Sequence, residues 1–246
     1  MGKLFKYEFR KSLFPKLIFL CVTAVLEVVY LIGIAGEFER PTAIGMIGLT
    51  FAAVAGIAYM GIESIITLYR DLTTKQSYML FMTPNSSYKI LGAKALENGL
   101  AVLIAGAFFG GLAYIDVSLL SHEKPAFAML MDMVNQMMNS IDPTLKFTVK
   151  TFVVILFMTL VSVILRIVLG YFAVVLSCTV LQGKKAAGLI AIGIYIAISL
   201  VLGYLSGLLP KMEPVTSMIV NSCISLAACI VFYFLAAWIM DRKLSV

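Results

Sequence analysis

Apolar and polar positions alternate along this chain in long blocks rather than at helical or strand spacing. A membrane-crossing helix needs roughly 20 predominantly apolar residues. Six segments meet that length, about 15–36, 43–68, 95–119, 149–181, 186–209 and 217–240. The pattern predicts an all-α integral membrane protein with six transmembrane helices. An even number of spans places both termini on one side.

Two stretches break the rhythm. One is a polar island, "YRDLTTKQSYMLFMTPNSSYKILGAKAL" at 69–96, far longer than the turn that two helices need. Residues 71–82 can form a short helix that offers Leu72, Tyr78, Met79 and Met82 for contact, Pro84 and Asn85 break it, and Ser86 or Ser87 can cap the next helix. The other is the 120–148 segment, in which "FAMLMDMVNQMMNSI" sets Met129, Leu130, Met133, Val134, Met137, Met138 and Ile141 at helical spacing, opposite Asp132, Asn135, Gln136 and Asn139. Methionine is flexible and polarizable, so such a face can repack against varied apolar partners. It reads either as a gate for an amphipathic substrate or as an interfacial helix that caps the bundle, with the cap preferred.

Composition agrees with the pattern. The 246 residues are 61% hydrophobic and 13% charged, with a mean hydropathy of +1.01, against about 45–50% and about 25% in soluble domains. The length suits one integral membrane domain over 1–246 rather than an anchor plus a soluble enzyme. The net charge of +6 does not signal nucleic acid, because the charges sit in short clusters between apolar runs. With the N-terminus inside, thirteen Lys and Arg fall in cytoplasmic segments and five outside, and this bias sets orientation. Both termini are expected in the cytoplasm.

The opening "KLFKYEFRKSLF" puts Leu4, Phe5, Phe9 and Leu13 near one helical face, with Lys3, Lys6, Arg10 and Lys11 elsewhere. An interfacial amphipathic helix over 1–14 is expected; the plainer reading is a basic flank that orients the first span. No small-residue cleavage site follows a short apolar core, so the segment is not a cleavable signal. Lys6 stands where myristoylation needs Ser or Thr.

Missing chemistry narrows the function further. There is no phosphate-cradling G-x-x-x-x-G-K-[ST] loop, no zincin motif and no G-x-S-x-G elbow. The one histidine, His122, reads as a solvated loop residue. Cys21, Cys178, Cys223 and Cys229 lie inside apolar runs without metal spacing. Catalytic, cofactor and metal sites are therefore not expected. Ionisable residues within spans usually face protein or water. Glu27 lies about 16 Å beyond residue 16 along its helix at 1.5 Å per residue, Arg166 interrupts the fourth span, and Glu63 sits near the end of the second. A structural Glu27–Arg166 pair is expected, with proton or substrate handling as the rival. "GAFFG" (Gly106, Gly110) and "GYLSG" (Gly203, Gly207) are GxxxG motifs, which hint at close-packed faces.

The island resembles the corresponding loop of the permease subunits of ABC transporters of the type-2 exporter class. In that family the loop runs from an acidic residue through an apolar triplet ending in Thr-x-Pro to Ser and a Gly-x-Lys; here these are Asp71, "YMLFMTP", Ser86 with Ser87, and "LGAK" (Gly92 to Lys94). The basic N-terminus, the terminal "AAWIMDRKLSV" and the six-span plan are similar too. The chain departs from the pattern at "TTKQ", where a Gly-Glu or Gly-Thr pair is frequent, and in having its long outer segment between spans three and four. The resemblance implies a coupling segment at 71–94, with Asp71, Leu72, Lys75, Tyr78, Met79, Met82 and Pro84 contacting a separate ATP-binding subunit. It implies ATP and Mg on that partner, two copies of it per complex, a second permease as homodimer or heterodimer, and a bacterial cell membrane. An apolar or amphipathic substrate is expected from the scarcity of charge in the spans. The alternatives are an ion-coupled secondary transporter and a non-transporting membrane scaffold.

Overall fold

The computed structural model describes residues 2–73, 86–120, 128, 131–136, 149–180, 187–208 and 214–243. Among them every regular element is helical. In chain order these are α1 (Gly2–Lys11), α2 (Leu13–Ala35), α3 (Glu39–Thr73), α4 (Ser87–Leu120), α5 (Val149–Val180), α6 (Ala187–Gly207) and α7 (Pro214–Lys243), with a further helical stretch at 131–136. Six of them, α2 to α7, are long and apolar enough to cross a membrane. The chain is a multi-pass membrane protein by this criterion, and its many exposed Leu, Ile, Val and Phe side chains are what a lipid solvent accepts.

The break between α1 and α2 has a local cause. Pro15 has no N–H to donate to the Lys11 carbonyl, so one unbroken helix could not hold that bond. The chain turns at Ser12, and Pro15 falls in the first turn of α2, where a donor is not needed. The α2–α3 connection is three residues long. It closes through the Gly36, Glu37 and Phe38 amides, which donate to Ile32, Ile34 and Gly33 carbonyls. Glu37 takes the left-handed conformation, with φ 52°.

The structure corrects the expected limits around the polar island. The sequence reading ends the second span at 68 and begins a separate helix at 71; α3 instead runs unbroken through Asp71 and Leu72 to Thr73, and α4 begins at Ser87 rather than 95. Helix hydrogen bonds do not require apolar side chains, so a span continues past the hydrocarbon until the backbone is interrupted. At 35 residues α3 is about 52 Å long, well over the ~30 Å of a hydrocarbon core. Ser86 caps α4 through its carbonyl, which accepts from Lys89 and Ile90 amides.

The chain divides into two compact units. One takes in Gly61–Gly99 and Thr148–Val246, the other Gly2–Met60 and Leu100–Phe147. In the first unit α5 packs along α7 and against α6, with Phe172 edge-on to Phe232 at 5.1 Å between centroids. Gly170 lets the α5 backbone meet Ile65 of α3, where any Cβ would clash. Its buried core gathers where α3 and α5 end and α4 and α6 begin: Leu68, Ile90, Leu91, Tyr171, Val175, Ala236, Ala237 and Met240 are at most 1% exposed.

In the second unit α2 and α3 form a tight antiparallel pair. Gly33 faces Thr42, Gly45 faces the Tyr30 backbone, and Gly48 faces Leu26. Among the described residues, no atom lies within 4 Å of a Cβ built at the GxxxG glycines, Gly106 and Gly110 in this unit and Gly203 and Gly207 in the first. The close approaches come from isolated glycines, because what matters is register against the neighbour and not spacing along one helix.

Candidate functional site

The densest buried polar cluster lies in the first unit, where α3 stops and α4 starts. Asp71, in the last turn of α3, accepts from Lys94 at 2.8 Å, and both side chains are almost wholly buried, at 6% and 2% exposed. Lys94 reaches back because it sits two turns into α4, antiparallel to the end of α3. Glu97 and Asn98, one turn further along, are also buried. Two hydrogen bonds extend the cluster to α7: Ser87 donates to Asp241 Oδ1 at 3.1 Å, and the Tyr233 hydroxyl donates to the Tyr88 carbonyl at 2.8 Å. The hydroxyls of Ser64 on α3 and Tyr171 on α5 bond to one another. Arg242 lies over the Trp238 ring at 4.7 Å, an arrangement in which the ring quadrupole attracts the cation.

Burying an ion pair costs several kcal/mol per charge unless geometry and further hydrogen bonds offset it. A pair kept here fixes relative position. It ties the two helices flanking the 74–85 segment, so their ends must move together.

Of the residues expected to couple to a partner, Asp71 is buried and Leu72 half-buried at the end of α3. Lys75, Tyr78, Met79, Met82 and Pro84 lie outside the described residues, and so does the short helix expected there. The structure thus unites the two ends of the loop motif, Asp71 and Lys94, a pairing that the sequence reading did not draw. Glu97 and Asn98 were missed as well. Their signal was present: charged and amide groups at Lys94, Glu97 and Asn98 interrupt one apolar helix at one-turn spacing.

The second unit holds the other polar group within spans. The Glu27 and Asp116 carboxyls are within hydrogen-bonding reach of each other. Among the described residues, no donor reaches the buried Glu27 Oε2 or Asp116 Oδ1. Tyr30 is buried beside them and donates to the Asp116 carbonyl at 3.3 Å. Asp116 escaped the sequence reading because it lies three residues from the end of the 95–119 run. Arg166, the expected partner of Glu27, belongs to the other unit, exposed on α5.

α1 forms within the expected 1–14 stretch but stops at Lys11, and Leu13 and Phe14 belong to α2. Phe5 and Phe9 stack at 6.4 Å, while Lys6, Arg10 and Lys11 are exposed and Glu8 is buried. In the 120–148 segment, Met133 is half-buried on the helical stretch at 131–136, with Asp132 and Gln136 exposed; Met129, Met137 and Met138 lie outside the described residues, as does His122. Among the described residues no group of His, Cys, Asp and Glu could hold a metal ion. Compared with known protein families, curated proteins and solved structures, the chain gave no match.

Proposed function

We propose that this chain is the transmembrane subunit of an ATP-driven exporter of the ABC type-2 class, set in a bacterial cell membrane with both termini in the cytoplasm. The carrying observation is the buried Asp71–Lys94 pair at the base of the 74–85 segment. A force applied to that segment by a neighbouring protein cannot be absorbed by splaying α3 from α4. It passes into both helices and, through Ser87–Asp241 and Tyr233–Tyr88, into α7. That is the mechanical property a coupling loop needs, because work enters a bundle only through contacts that differ between its two states.

The ATP-binding subunit, present twice, would supply ATP and Mg. A second permease, the same or different, would complete the pathway for an apolar or amphipathic substrate such as a lipid, peptide or drug. This chain carries no ATPase site of its own. The basic α1 supports the orientation, together with thirteen Lys and Arg against five.

The test is co-purification with a P-loop ATPase, followed by transport and hydrolysis assays. Met79→Glu should leave membrane insertion and basal hydrolysis intact and lower transport per ATP. Transport unaffected by Met79→Glu and by an inactivated ATPase would overturn the reading. A second reading, an ion-coupled transporter, is favoured by the Glu27–Asp116 pair. It predicts transport that stops when a protonophore collapses the gradient and continues without ATP.

A further inference from the structure

A cavity of about 230 Å³ opens in the second unit between α1–α2 on one side and α3 and α4 on the other. Its walls are Phe9, Phe19, Met60, Phe108 and Phe109, with Ala101 and Ala105 at the back. Lys16 and Thr23 are its polar lining residues, and Thr23 turns its hydroxyl to the Phe19 carbonyl at 2.9 Å. The interior therefore offers hydrocarbon surface, and it is small alanines on α4 that leave the room.

Its size discriminates among occupants. Apolar cavities of about 150 Å³ take up benzene, whereas sites for drug-sized ligands run from about 300 Å³ upward. The space suits part of one hydrocarbon chain, not a whole amphiphile.

Charge at one end adds the second half. Lys16 stands at the α1–α2 junction, its ammonium donating to Ser12 at 2.8 Å and lying 5.6 Å from the Phe9 ring centroid. Lys6, Arg10 and Lys11 are exposed on α1, and its one acidic residue, Glu8, is 6% exposed. The accessible face of α1 is thus basic, beside the first turn of a membrane span, where phosphate headgroups lie. Basic residues on an interfacial helix attract anionic lipids.

We infer that this cavity is a binding site for an anionic phospholipid, with one acyl chain between Phe19 and Phe108 and the phosphate held by Lys16 and the basic face of α1. All the lining residues belong to the second unit, and the inference does not rest on the proposed function. A lipid seated there would fix α1 against α2 and α4.

The test uses the full chain in nanodiscs, with phosphatidylglycerol or phosphatidylcholine carrying a photoreactive diazirine at the end of one acyl chain. Labelled residues are mapped by mass spectrometry. Phosphatidylglycerol should label Phe9, Phe19, Phe108 and Phe109 about five-fold more than phosphatidylcholine, the preference expected for one basic residue at an anionic surface. Lys16→Glu should abolish the preference. Ala105→Phe, which fills the cavity, should remove wall labelling by both lipids and leave labelling at exposed Leu200 on α6 unchanged. In the unaltered protein, free phosphatidylglycerol should compete for the walls where phosphatidylcholine and glycerol phosphate do not; this arm decides the matter if Ala105→Phe misfolds. Equal labelling by both lipids, or competition by glycerol phosphate alone, overturns the proposal.

Discussion

Asp71 and Lys94 lie 23 residues apart in sequence and 2.8 Å apart in the fold, joined as a buried ion pair across the base of the 74–85 segment. The pair closes the segment as a staple would, and Ser87 and Tyr88, just inside α4, are tied to α7 on the far side. The helix ends on either side of 74–85 are thus tied to each other and to α7.

Removing one member of this pair should be worse than removing both. Asp71→Asn or Lys94→Met alone is expected to cost about 3–5 kcal/mol, because the remaining charge stays buried without its partner, while the double change should cost much less. Thermal unfolding of the four proteins in detergent measures the coupling. Additive losses would mean that the two residues act separately.

The ties to α7 should matter for coupling more than for stability. Ser87→Ala and Tyr233→Phe each remove one hydrogen bond and should lower stability by about 1 kcal/mol. If the chain works as the proposed exporter subunit, both should reduce substrate moved per ATP while basal hydrolysis continues. Unchanged stoichiometry in both variants would leave α7 out of the transmission.

Glycines in the second unit should divide by register rather than by motif. A Cβ at Gly45 would lie 2.6 Å from the Tyr30 Cβ, so Gly45→Ala should destabilise by about 1–3 kcal/mol through overpacking. Gly106→Ala meets no atom of the described residues within 4 Å and should be neutral or stabilising by up to about 1 kcal/mol, since alanine restricts the unfolded chain. Melting temperatures compared side by side check this.

Glu27→Gln separates two accounts of the intramembrane charges. Beside Asp116 an amide can donate to the neighbouring carboxyl, so stability should change by no more than about 0.5 kcal/mol. Were Glu27 the counter-ion of Arg166, the same change should cost about 3–5 kcal/mol by stranding a charge. Unfolding of Glu27→Gln and Arg166→Gln, singly and together, distinguishes them.

The six spans were legible in the sequence because each is a local property: lipid demands about 20 apolar residues in a row, and every such run is one helix. The basic, amphipathic α1 was legible for the same reason. The ends of α3 and α4 were not, since hydropathy marks where lipid stops and not where a backbone ladder stops. Asp71 read as the start of a new element, yet α3 runs through it to Thr73.

Partners between helices depend on register, rotation and approach, none of which a linear pattern carries. The two residues that bracket the loop motif, Asp71 and Lys94, stood out singly, but only antiparallel packing of α3 on α4 sets one against the other. Gly45 has no motif and packs closely, while Gly106 has one and does not, because closeness is decided by the facing helix. Asp116 went unnoticed near the end of a span, and only the packing of α2 brings Glu27 beside it. Sequence determined that this chain crosses a membrane and where its backbone must be helical; tertiary structure alone decided which buried charges meet, since that requires positions on two helices at once.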